Sequence, residues 1–164
     1  MRIAVVTVSD RASRGSYEDL SGPGIERILS AAWPEAEISR EIVADEAADI
    51  LAALDRSASA DWIVTSGGTG PSPRDVTPEA TRAWVDRELP GIAEALRAAS
   101  LKETPYAVFS RGIAGMRGSA FVVNLPGSPA AARLGASVLA PLLGHGVEMA
   151  RGAGHGDAPP KRVS

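Results

Sequence analysis

Short apolar runs of strand type alternate along this chain with segments of helical periodicity, and this alternation constrains the fold more than any other feature. The first run, Ile3–Val8, is continuously apolar, which is typical of a strand covered on both faces. In chain order, strands are predicted at Ile3–Val8, Ile38–Ala44, Asp61–Ser66, Tyr106–Phe109 and Ser119–Asn124.

Helical patterns fill the intervals between these strands. The first helix is predicted at Ile25–Ala32, before Pro34, and the second is an amphipathic helix over Ala47, Ile50, Leu51 and Leu54. The third is capped by Thr77 with Pro78 as its first residue, and the fourth passes through Ile92 and Leu96. The last is a long helix that begins at Ser128 and Pro129 and carries Leu134, Val138 and Leu142. Strands that alternate with helices predict an α/β domain with a mainly parallel sheet, mixed if antiparallel strands join it, and helices on both faces.

Three unusual loops follow predicted strands: Ser9–Gly24, Ser66–Thr77 and Asn124–Ser128. Crossover connections between parallel strands are right-handed, so every strand-to-helix loop lies at the carboxyl edge of the sheet. Ligands of open α/β sheets bind at that edge. We therefore expect the three loops to build one ligand site.

Bulk properties narrow the function classes. With 164 residues the chain is expected to form one domain over residues 1–152, followed by a flexible tail over 153–164. A net charge of −3 gives no global basic field for nucleic acid, and the absence of cysteine excludes thiol catalysis and thiolate metal sites. No signal-peptide pattern and no membrane-length apolar run is present, so a cytoplasmic protein without membrane contact is expected.

The loop "SGGTGPSPRD" (Ser66–Asp75) presents backbone amides that no side chain shields, and the helix after it offers its positive end to an anion. It matches neither the G-x-x-x-x-G-K-[ST] phosphate loop nor the dinucleotide pattern G-x-G-x-x-G. A glycine-rich turn that only reverses the chain explains the four residues Gly67, Gly68, Thr69 and Gly70 equally well.

Asp75 favours the anion site, because a carboxylate beside a bound anion needs a cation between them. Mg²⁺ is usually held by one or two carboxylates together with substrate phosphates. Asp45, which ends a strand and opens a helix at the same edge, is the candidate second ligand. The structural alternatives are a helix cap or a salt bridge to Arg74 for Asp75, and a helix N-cap for Asp45.

Polar residues of the other two loops are further candidates for ligand binding. Asn124 has the paired donor and acceptor that could read an amide or purine edge, or it is a turn residue. Ser9 and Asp10 could contact ligand or satisfy their own loop's backbone. The candidate phosphate clamps are Arg11, Arg14 and Arg111.

Four segments together resemble the Mog/MoaB family of molybdenum cofactor biosynthesis: "SDRASRGSYEDLSGPG", "TSGGTGPSPRDVTPEAT", "LPGIAEALRAAS" and "FVVNLPGSPAAA". The resemblance spans about residues 1–152 and implies a three-layer α/β/α fold. Active family members are molybdopterin adenylyltransferases, which transfer AMP from Mg-ATP to the terminal phosphate of molybdopterin and release pyrophosphate. Mg²⁺, ATP and molybdopterin are therefore the expected cofactor and substrates.

The resemblance also implies roles for individual residues. Asp75 matches the family's essential aspartate and Asp45 its second acidic residue, both catalytic and both toward the metal. The implied substrate-binding residues are Gly67, Gly68, Thr69, Gly70, Ser110, Asn124, Pro126, Gly127 and Ser128, and the first loop's candidates Ser9 and Asp10 complete the predicted substrate-binding set.

The family's assemblies and relatives add further expectations. A homotrimer is implied, with hexamers among MoaB-type members, as is hand-over to a molybdate-insertion protein. The main alternative is a MoaB-type paralogue that binds molybdopterin without catalysis. A related domain also occurs in molybdate-insertion proteins and nucleotide pyrophosphatases, which carry extra domains, and a purely structural role would leave the three loops without a purpose.

Overall fold

The computed structural model describes residues 1–152, and the predicted tail over 153–164 lies outside the described residues. One six-stranded sheet forms the centre, with strand order β2-β1-β3-β6-β5-β4. The strands are β1 (Arg2–Val8), β2 (Glu37–Val43), β3 (Trp62–Ser66), β4 (Arg87–Glu88), β5 (Ala114–Arg117) and β6 (Ala120–Leu125). The first four in spatial order are parallel, and β5 runs antiparallel to both of its neighbours. The mainly parallel, mixed sheet confirms the predicted class.

Helices cover both faces of this sheet. They are α1 (Asp10–Ser13), α2 (Ser21–Ala32), α3 (Ala47–Arg56), α4 (Thr77–Trp84), α5 (Pro90–Leu101), α6 (Pro129–Leu139) and α7 (Leu143–Ala150), with 3₁₀ turns at Pro105–Phe109 and Ala140–Leu142. Elements α2, α5, α6 and α7 pack with one core cluster, and α3 and α4 with the other. The three-layer α/β/α arrangement is therefore confirmed.

Neighbouring parallel strands are in a register that stacks β-branched residues across the sheet. Val5 of β1 lies beside Val64 of β3, which lies beside Val123 of β6, and all three are buried. The alternate residues Val6 and Ile63 face the second cluster. Burial on both faces explains why these strands read as continuous apolar runs.

Two sequence predictions about elements are wrong. Tyr106–Phe109 is not a strand but most of a 3₁₀ turn, because Pro105 begins the turn and the Thr104 side chain caps it. Helix α2 begins at Ser21 rather than Ile25, because Asp19 accepts hydrogen bonds from the backbone N–H groups of Ser21 and Gly22 and so caps the first turn.

The antiparallel end of the sheet was not predicted from the sequence. Strand β4 has only two residues, and β5 has four, of which Gly115 would not be expected in a strand. The predicted long helix after Ser128 also divides at Ala140–Leu142, where Pro141 removes a helical hydrogen bond.

No helix within residues 1–152 has both the length and the apolar character that a membrane crossing requires.

Candidate active site

The three loops predicted to meet do converge at the carboxyl edge of β1, β3 and β6. At this edge the chain leaves β1 toward β2 and leaves β3 toward the other half of the sheet, the switch point where α/β domains bind ligands. The loops are joined directly: Ser66 Oγ donates to the Pro126 carbonyl at 3.0 Å and Ser21 Oγ donates to the Gly127 carbonyl at 2.8 Å.

Two glycines of the central loop are required by the backbone. Gly67 and Gly68 have φ of 113° and 62°, a region that side chains rarely adopt. A Cβ on Gly67 would overlap the Val8 carbonyl oxygen, and one on Gly68 would overlap the Thr77 hydroxyl oxygen. The "GGTG" stretch therefore packs its backbone closely against the end of β1 and the start of α4, which a plain reversal of the chain does not require.

Asp75 ends the glycine-rich loop in a tight turn. Its Oδ2 accepts the Ser72 backbone N–H at 3.0 Å, while the Asp75 N–H donates to the Ser72 carbonyl at 2.9 Å. The side chain is half-buried, and Oδ1 has no hydrogen-bond partner among residues 1–152. Neither structural alternative holds, because Val76 precedes α4 as its N-cap and Arg74 pairs with Asp10 instead.

Arg111 fastens the glycine-rich loop from the other side. Its Nε donates to the Gly70 carbonyl at 2.7 Å and its Nη2 to the Asp75 carbonyl at 2.5 Å. The guanidinium also forms an ion pair with Glu79, and this hydrogen bond holds the pKa of the Glu79 carboxyl below its ordinary value. Arg111 is therefore committed to positioning the loop and is not a free phosphate clamp.

Asp45 is held by a reciprocal pair of bonds with Asp10. Asp45 Oδ2 accepts the Asp10 backbone N–H at 2.7 Å, and Asp10 Oδ1 accepts the Asp45 backbone N–H at 3.1 Å. Arg74 and Arg14 both form ion pairs with the second oxygen of Asp10. Asp45 is not the N-cap of α3, which is Glu46, and its Oδ1 is left without a hydrogen-bond partner in the described chain.

The glycine-rich loop separates two clefts. A cleft of about 350 Å³ lies on the side of Gly67 and Gly68, bounded by α1, the Asp19 loop and Ser128. A narrower cleft of about 250 Å³ lies on the side of Thr69 and Gly70. Its remaining lining is largely apolar and includes Leu96, Tyr106, Phe109, Ser110 and Pro126. One loop is therefore placed to contact two different ligand groups at once.

The predicted serines differ in how much of their hydroxyl is used by the protein. Ser9 caps α1 by accepting the Ala12 N–H at 3.3 Å. Ser128 precedes α6 without a capping bond and is exposed in the larger cleft. Ser110 accepts a long bond of 3.4 Å from the Gly112 N–H and lines the narrower cleft.

Asn124 lies within β6 and is only 4% exposed, so the alternative of a turn residue is wrong. Its Nδ2 donates to the hydroxyls of Thr65 and Thr81, at 3.0 and 2.9 Å, and its Oδ1 accepts the Ile113 N–H at 3.2 Å. Both amide donors are used within the protein, so in this arrangement the side chain joins β3, α4 and β6 and cannot read a ligand's edge through them.

Among the three candidate phosphate clamps, Arg11 is the one left to face a ligand. Arg14 pairs with Asp10 and Arg111 with Glu79. Arg11 lines the larger cleft, and its guanidinium stacks over the Tyr17 ring at 4.9 Å. Stacking holds the guanidinium plane while leaving its N–H edge available for phosphate oxygens.

The donor set suits a cation shared with substrate rather than one held by protein alone. No group of three or more acidic or histidine side chains able to hold a metal occurs within residues 1–152. Asp45 and Asp75 each keep one carboxylate oxygen unpaired beside the glycine-rich loop, and two carboxylates completed by substrate phosphates are a usual Mg²⁺ environment. The residues present therefore fit Mg²⁺, provided that substrate phosphates supply the remaining ligands.

Two site residues escaped the sequence analysis. Asp19 lines the larger cleft and accepts the Thr7 hydroxyl at 2.8 Å in addition to capping α2. An aspartate two residues before Ser21 and Gly22 is a helix-start signal, obscured here by the glycine and proline of "SGPG". Thr77, predicted as an N-cap, is instead the first helical residue and is fully buried.

A larger cavity lies away from the carboxyl edge of the sheet. It measures about 830 Å³ and is lined by residues near the starts of β3 and β6, such as Trp62 and Phe121, and by α7 residues such as Met149. No carboxylate is among its lining residues in the described chain. It therefore offers none of the cation-binding chemistry found at the carboxyl edge.

Comparisons with known proteins show the family of this chain. The family model described as "Probable molybdopterin binding domain" matches residues 4–145. A molybdopterin adenylyltransferase from Helicobacter pylori J99 is 45% identical over 137 residues, 81% of this chain and 78% of the relative. The Escherichia coli K12 protein of the same name is 43% identical over 133 residues, 79% of this chain and 68% of that one.

Solved structures show the same fold. The molybdopterin biosynthesis enzyme MoaB from Thermus thermophilus has a TM-score of 0.84 and 42% identity, covering 92% of this chain and 96% of that one. A MogA structure has a TM-score of 0.86 and 41% identity, covering 92% and 99%. The chain belongs to the molybdopterin-binding domain family that includes MoaB and MogA.

Proposed function

We propose that this protein is a molybdopterin adenylyltransferase that transfers AMP from Mg-ATP to the terminal phosphate of molybdopterin and releases pyrophosphate. The observation that carries the proposal is one glycine-rich loop between two clefts, with the half-free carboxylates of Asp45 and Asp75 beside it. The named activity of relatives at 43–45% identity supports the same reaction.

The reaction joins two polyanions, and their mutual repulsion opposes it. An oxygen of the molybdopterin phosphate attacks the α-phosphorus of ATP, the bond from that phosphorus to the bridging oxygen breaks, and pyrophosphate leaves. Mg²⁺, bound by Asp45, Asp75 and phosphate oxygens, would neutralise the charge on the nucleotide phosphates. No protein nucleophile is required.

The chain's own groups align the reactants. Backbone amides of Gly68 and Gly70 contact phosphate oxygens at close range because neither residue has a side chain, while the Gly67 N–H donates to the Leu125 carbonyl and holds the loop in place. Arg111 holds the carbonyls of Gly70 and Asp75, which keeps the loop and the carboxylate in a fixed relation. Most of the rate enhancement in such a site comes from positioning and electrostatic stabilisation.

Ligand contacts are part of the proposal. The larger cleft would use Ser9, Arg11 and Ser128, and the narrower one Ser110 and Pro126. Asp10 and Asn124 would act by holding the loops. A homotrimer, with a hexamer as the alternative, a cytoplasmic location and hand-over to a molybdate-insertion protein complete the proposal. Exposed apolar side chains at Tyr106, Val108 and Phe109 support assembly, which light scattering after gel filtration would measure.

Substitution of Asp75 tests the function. Purified protein with Mg-ATP and molybdopterin should release pyrophosphate and form adenylylated molybdopterin. Asp75→Asn should retain molybdopterin binding and lose turnover by roughly 10²-fold or more, because it removes a charge used in the transition state. Asp49→Asn, on the exposed face of α3, is the matched control and should keep wild-type turnover.

The outcomes separate the alternatives. Molybdopterin binding by the wild type without pyrophosphate release would favour the non-catalytic paralogue. Wild-type turnover by Asp75→Asn would remove Asp75 from the mechanism.

A further inference from the structure

The hydroxyl of Thr77 is the one fully buried side-chain polar atom without a hydrogen-bond partner in the part of the chain that the structure describes. Thr77 itself is 0% exposed, so no solvent water satisfies the group from outside. Leaving a buried hydroxyl unpaired is unfavourable, and valine would fill the same volume without that cost. The hydroxyl therefore calls for an explanation other than packing.

Local backbone geometry explains why helix α4 does not supply a partner. Thr77 is the first residue of the helix, so no helical carbonyl lies one turn before it. Its backbone N–H instead donates to the Gly68 carbonyl at 3.1 Å. The residue is thus joined to the glycine-rich loop, and its hydroxyl oxygen occupies the space that a Cβ on Gly68 would need.

The unpaired carboxylate oxygen Oδ1 of Asp45 lies near the same glycine as the Thr77 hydroxyl. The same Cβ position on Gly68 is 3.5 Å from Asp45 Oδ1. Asp45 Oδ2 accepts the Asp10 N–H, whereas Oδ1 has no hydrogen-bond partner among residues 1–152. The Thr77 hydroxyl and the unpaired oxygen of a proposed metal-binding carboxylate therefore both border the space left open by Gly68.

We propose that Thr77 is a positioning residue whose hydroxyl donates to Asp45 Oδ1 when Mg-ATP binds, and so fixes the orientation of that carboxylate toward the cation. Rotation of the Thr77 or Asp45 side chain between staggered rotamers supplies the movement, since both oxygens border the space left open by Gly68. Carboxylates that ligate metals are usually hydrogen-bonded in this way. This inference rests on the proposed function, because it assigns a partner to one of its catalytic residues.

Thermal unfolding of the ligand-free protein tests the first step. Because the hydroxyl has no partner, Thr77→Val should melt at the wild-type temperature or up to about 2–4 °C above it. Thr81→Val is the matched control one turn later in α4, where the hydroxyl accepts the Asn124 amide at 2.9 Å. That variant leaves a buried donor unpaired and should melt at least about 2 °C below the wild type.

Calorimetric titration with Mg-ATP, without molybdopterin, tests the second step. Thr77→Val should weaken Mg-ATP binding about 10–100-fold, the usual effect of removing a group that orients a metal ligand. Thr77→Ser, which restores the hydroxyl, should bind Mg-ATP like the wild type. ATP in the presence of EDTA should bind equally well to all three proteins, because the inferred contact acts through the cation.

Each outcome bears on a different claim. Equal Mg-ATP affinity in Thr77→Val and the wild type would overturn the inference, as would an equal loss with and without magnesium, which marks a purely structural role. A wild type that binds Mg-ATP but transfers no AMP would overturn the proposed function alone. A wild type that binds no Mg-ATP would overturn both.

Discussion

The two rims of the site hold the carboxylates of Asp75 and Asp45 by different means. The Asp75 rim, residues 70–79 with Arg111, depends on one guanidinium that binds two backbone carbonyls. The Asp45 rim, residues 9–16 with Asp45, depends on two reciprocal bonds between carboxylates and backbone N–H groups, reinforced by exposed ion pairs. In both rims the arginines form their ion pairs with other carboxylates, Glu79 and Asp10, and not with Asp75 or Asp45.

This difference predicts which substitutions disturb the structure of each rim. Removal of Arg111 takes away every side-chain contact to the Gly70 and Asp75 carbonyls at once. Neutralising Asp10 leaves both backbone bonds of the Asp45 rim in place, because an amide oxygen still accepts the Asp45 N–H. The Asp75 rim should therefore respond strongly to one substitution and the Asp45 rim weakly.

The largest effect is expected between the two rims, where the glycine-rich loop packs against the end of β1. Gly67→Ala places a Cβ against the Val8 carbonyl at a φ of 113°, and backbone atoms cannot move aside cheaply. We expect a loss of about 3 kcal/mol or more in the free energy of unfolding, measured by denaturant titration. Gly15→Ala is the matched control, because Gly15 has a φ of 69° with no atom within 4 Å of the new Cβ. It should cost only about 1–2 kcal/mol.

Equal losses in these two glycine variants would show that the glycine-rich loop is not in tight contact with the end of β1 at Gly67, so that this contact does not fix the positions of the two rims.

The parallel part of the sheet could be predicted from the sequence, because strands buried on both faces are continuously apolar, as the strands of Val5, Val64 and Val123 are. Prediction from the sequence failed at β4 and β5, which have two and four residues and depend on pairing, β4 with β5 and β5 with β6, rather than on their own composition. It also failed at Tyr106–Phe109, whose β-type residues are overridden by Pro105 and the Thr104 cap.

The next largest effect concerns the Asp75 rim alone. Arg111→Met keeps the aliphatic stem but leaves the Gly70 and Asp75 carbonyls without their donor, which should cost about 1–3 kcal/mol in unfolding free energy. A displaced Asp75 should also lower kcat by up to about 10²-fold. Steady-state kinetics and denaturant titration measure the two effects.

Arg82→Met is the control for this substitution, because Arg82 pairs with Glu88 at 2.7 Å on the protein surface and touches no loop carbonyl. It should leave kcat unchanged and cost less than about 1 kcal/mol. Equal kcat in Arg111→Met and the wild type would mean that the Asp75 rim does not depend on this single side chain.

A smaller effect is expected from the Asp45 rim. Asp10→Asn removes the charge that pairs with Arg74 and Arg14, whose side chains are 64% and 73% exposed, so the stability loss should stay below about 1 kcal/mol. Turnover should change by only a few-fold. Asp10→Ala, which also removes the acceptor for the Asp45 N–H, should reduce turnover more.

A loss of turnover in Asp10→Asn as large as that in Asp10→Ala would contradict the proposal that Asp10 acts through its hydrogen bond to the Asp45 N–H. The negative charge of Asp10 would then act on a ligand itself, and not through the position of Asp45.

The candidate site could be located from the sequence, but the division of labour within it could not. Loops after strands share one edge by topology alone, which placed Asp45, Asp75 and the glycines together. Whether an arginine clamps a phosphate or a backbone carbonyl depends on contacts between residues distant in sequence, such as Arg111 with Gly70. For the same reason the sequence did not predict the role of Thr77, because its buried, unpaired hydroxyl and its contact with Gly68 are properties of the folded structure.

The smallest expected effect is the pH dependence of stability that comes from the ion pair between Arg111 and Glu79 in the Asp75 rim. The hydrogen bond from Arg111 lowers the pKa of Glu79 from its ordinary value of 4.5, so the folded protein binds this proton less tightly than the unfolded chain. The ion pair therefore contributes fully above pH 4.5 and is lost as the pH falls through the lower, folded-state pKa. Glu79→Gln should be less stable than the wild type near pH 7, and the difference should vanish in acid. Because the Glu79 side chain is 51% exposed, solvent screening keeps the difference below about 1 kcal/mol. Denaturant titrations of both proteins at several pH values measure it, and a difference that persists unchanged below the folded-state pKa would mean that Glu79 supports the Asp75 rim through its shape and not its charge.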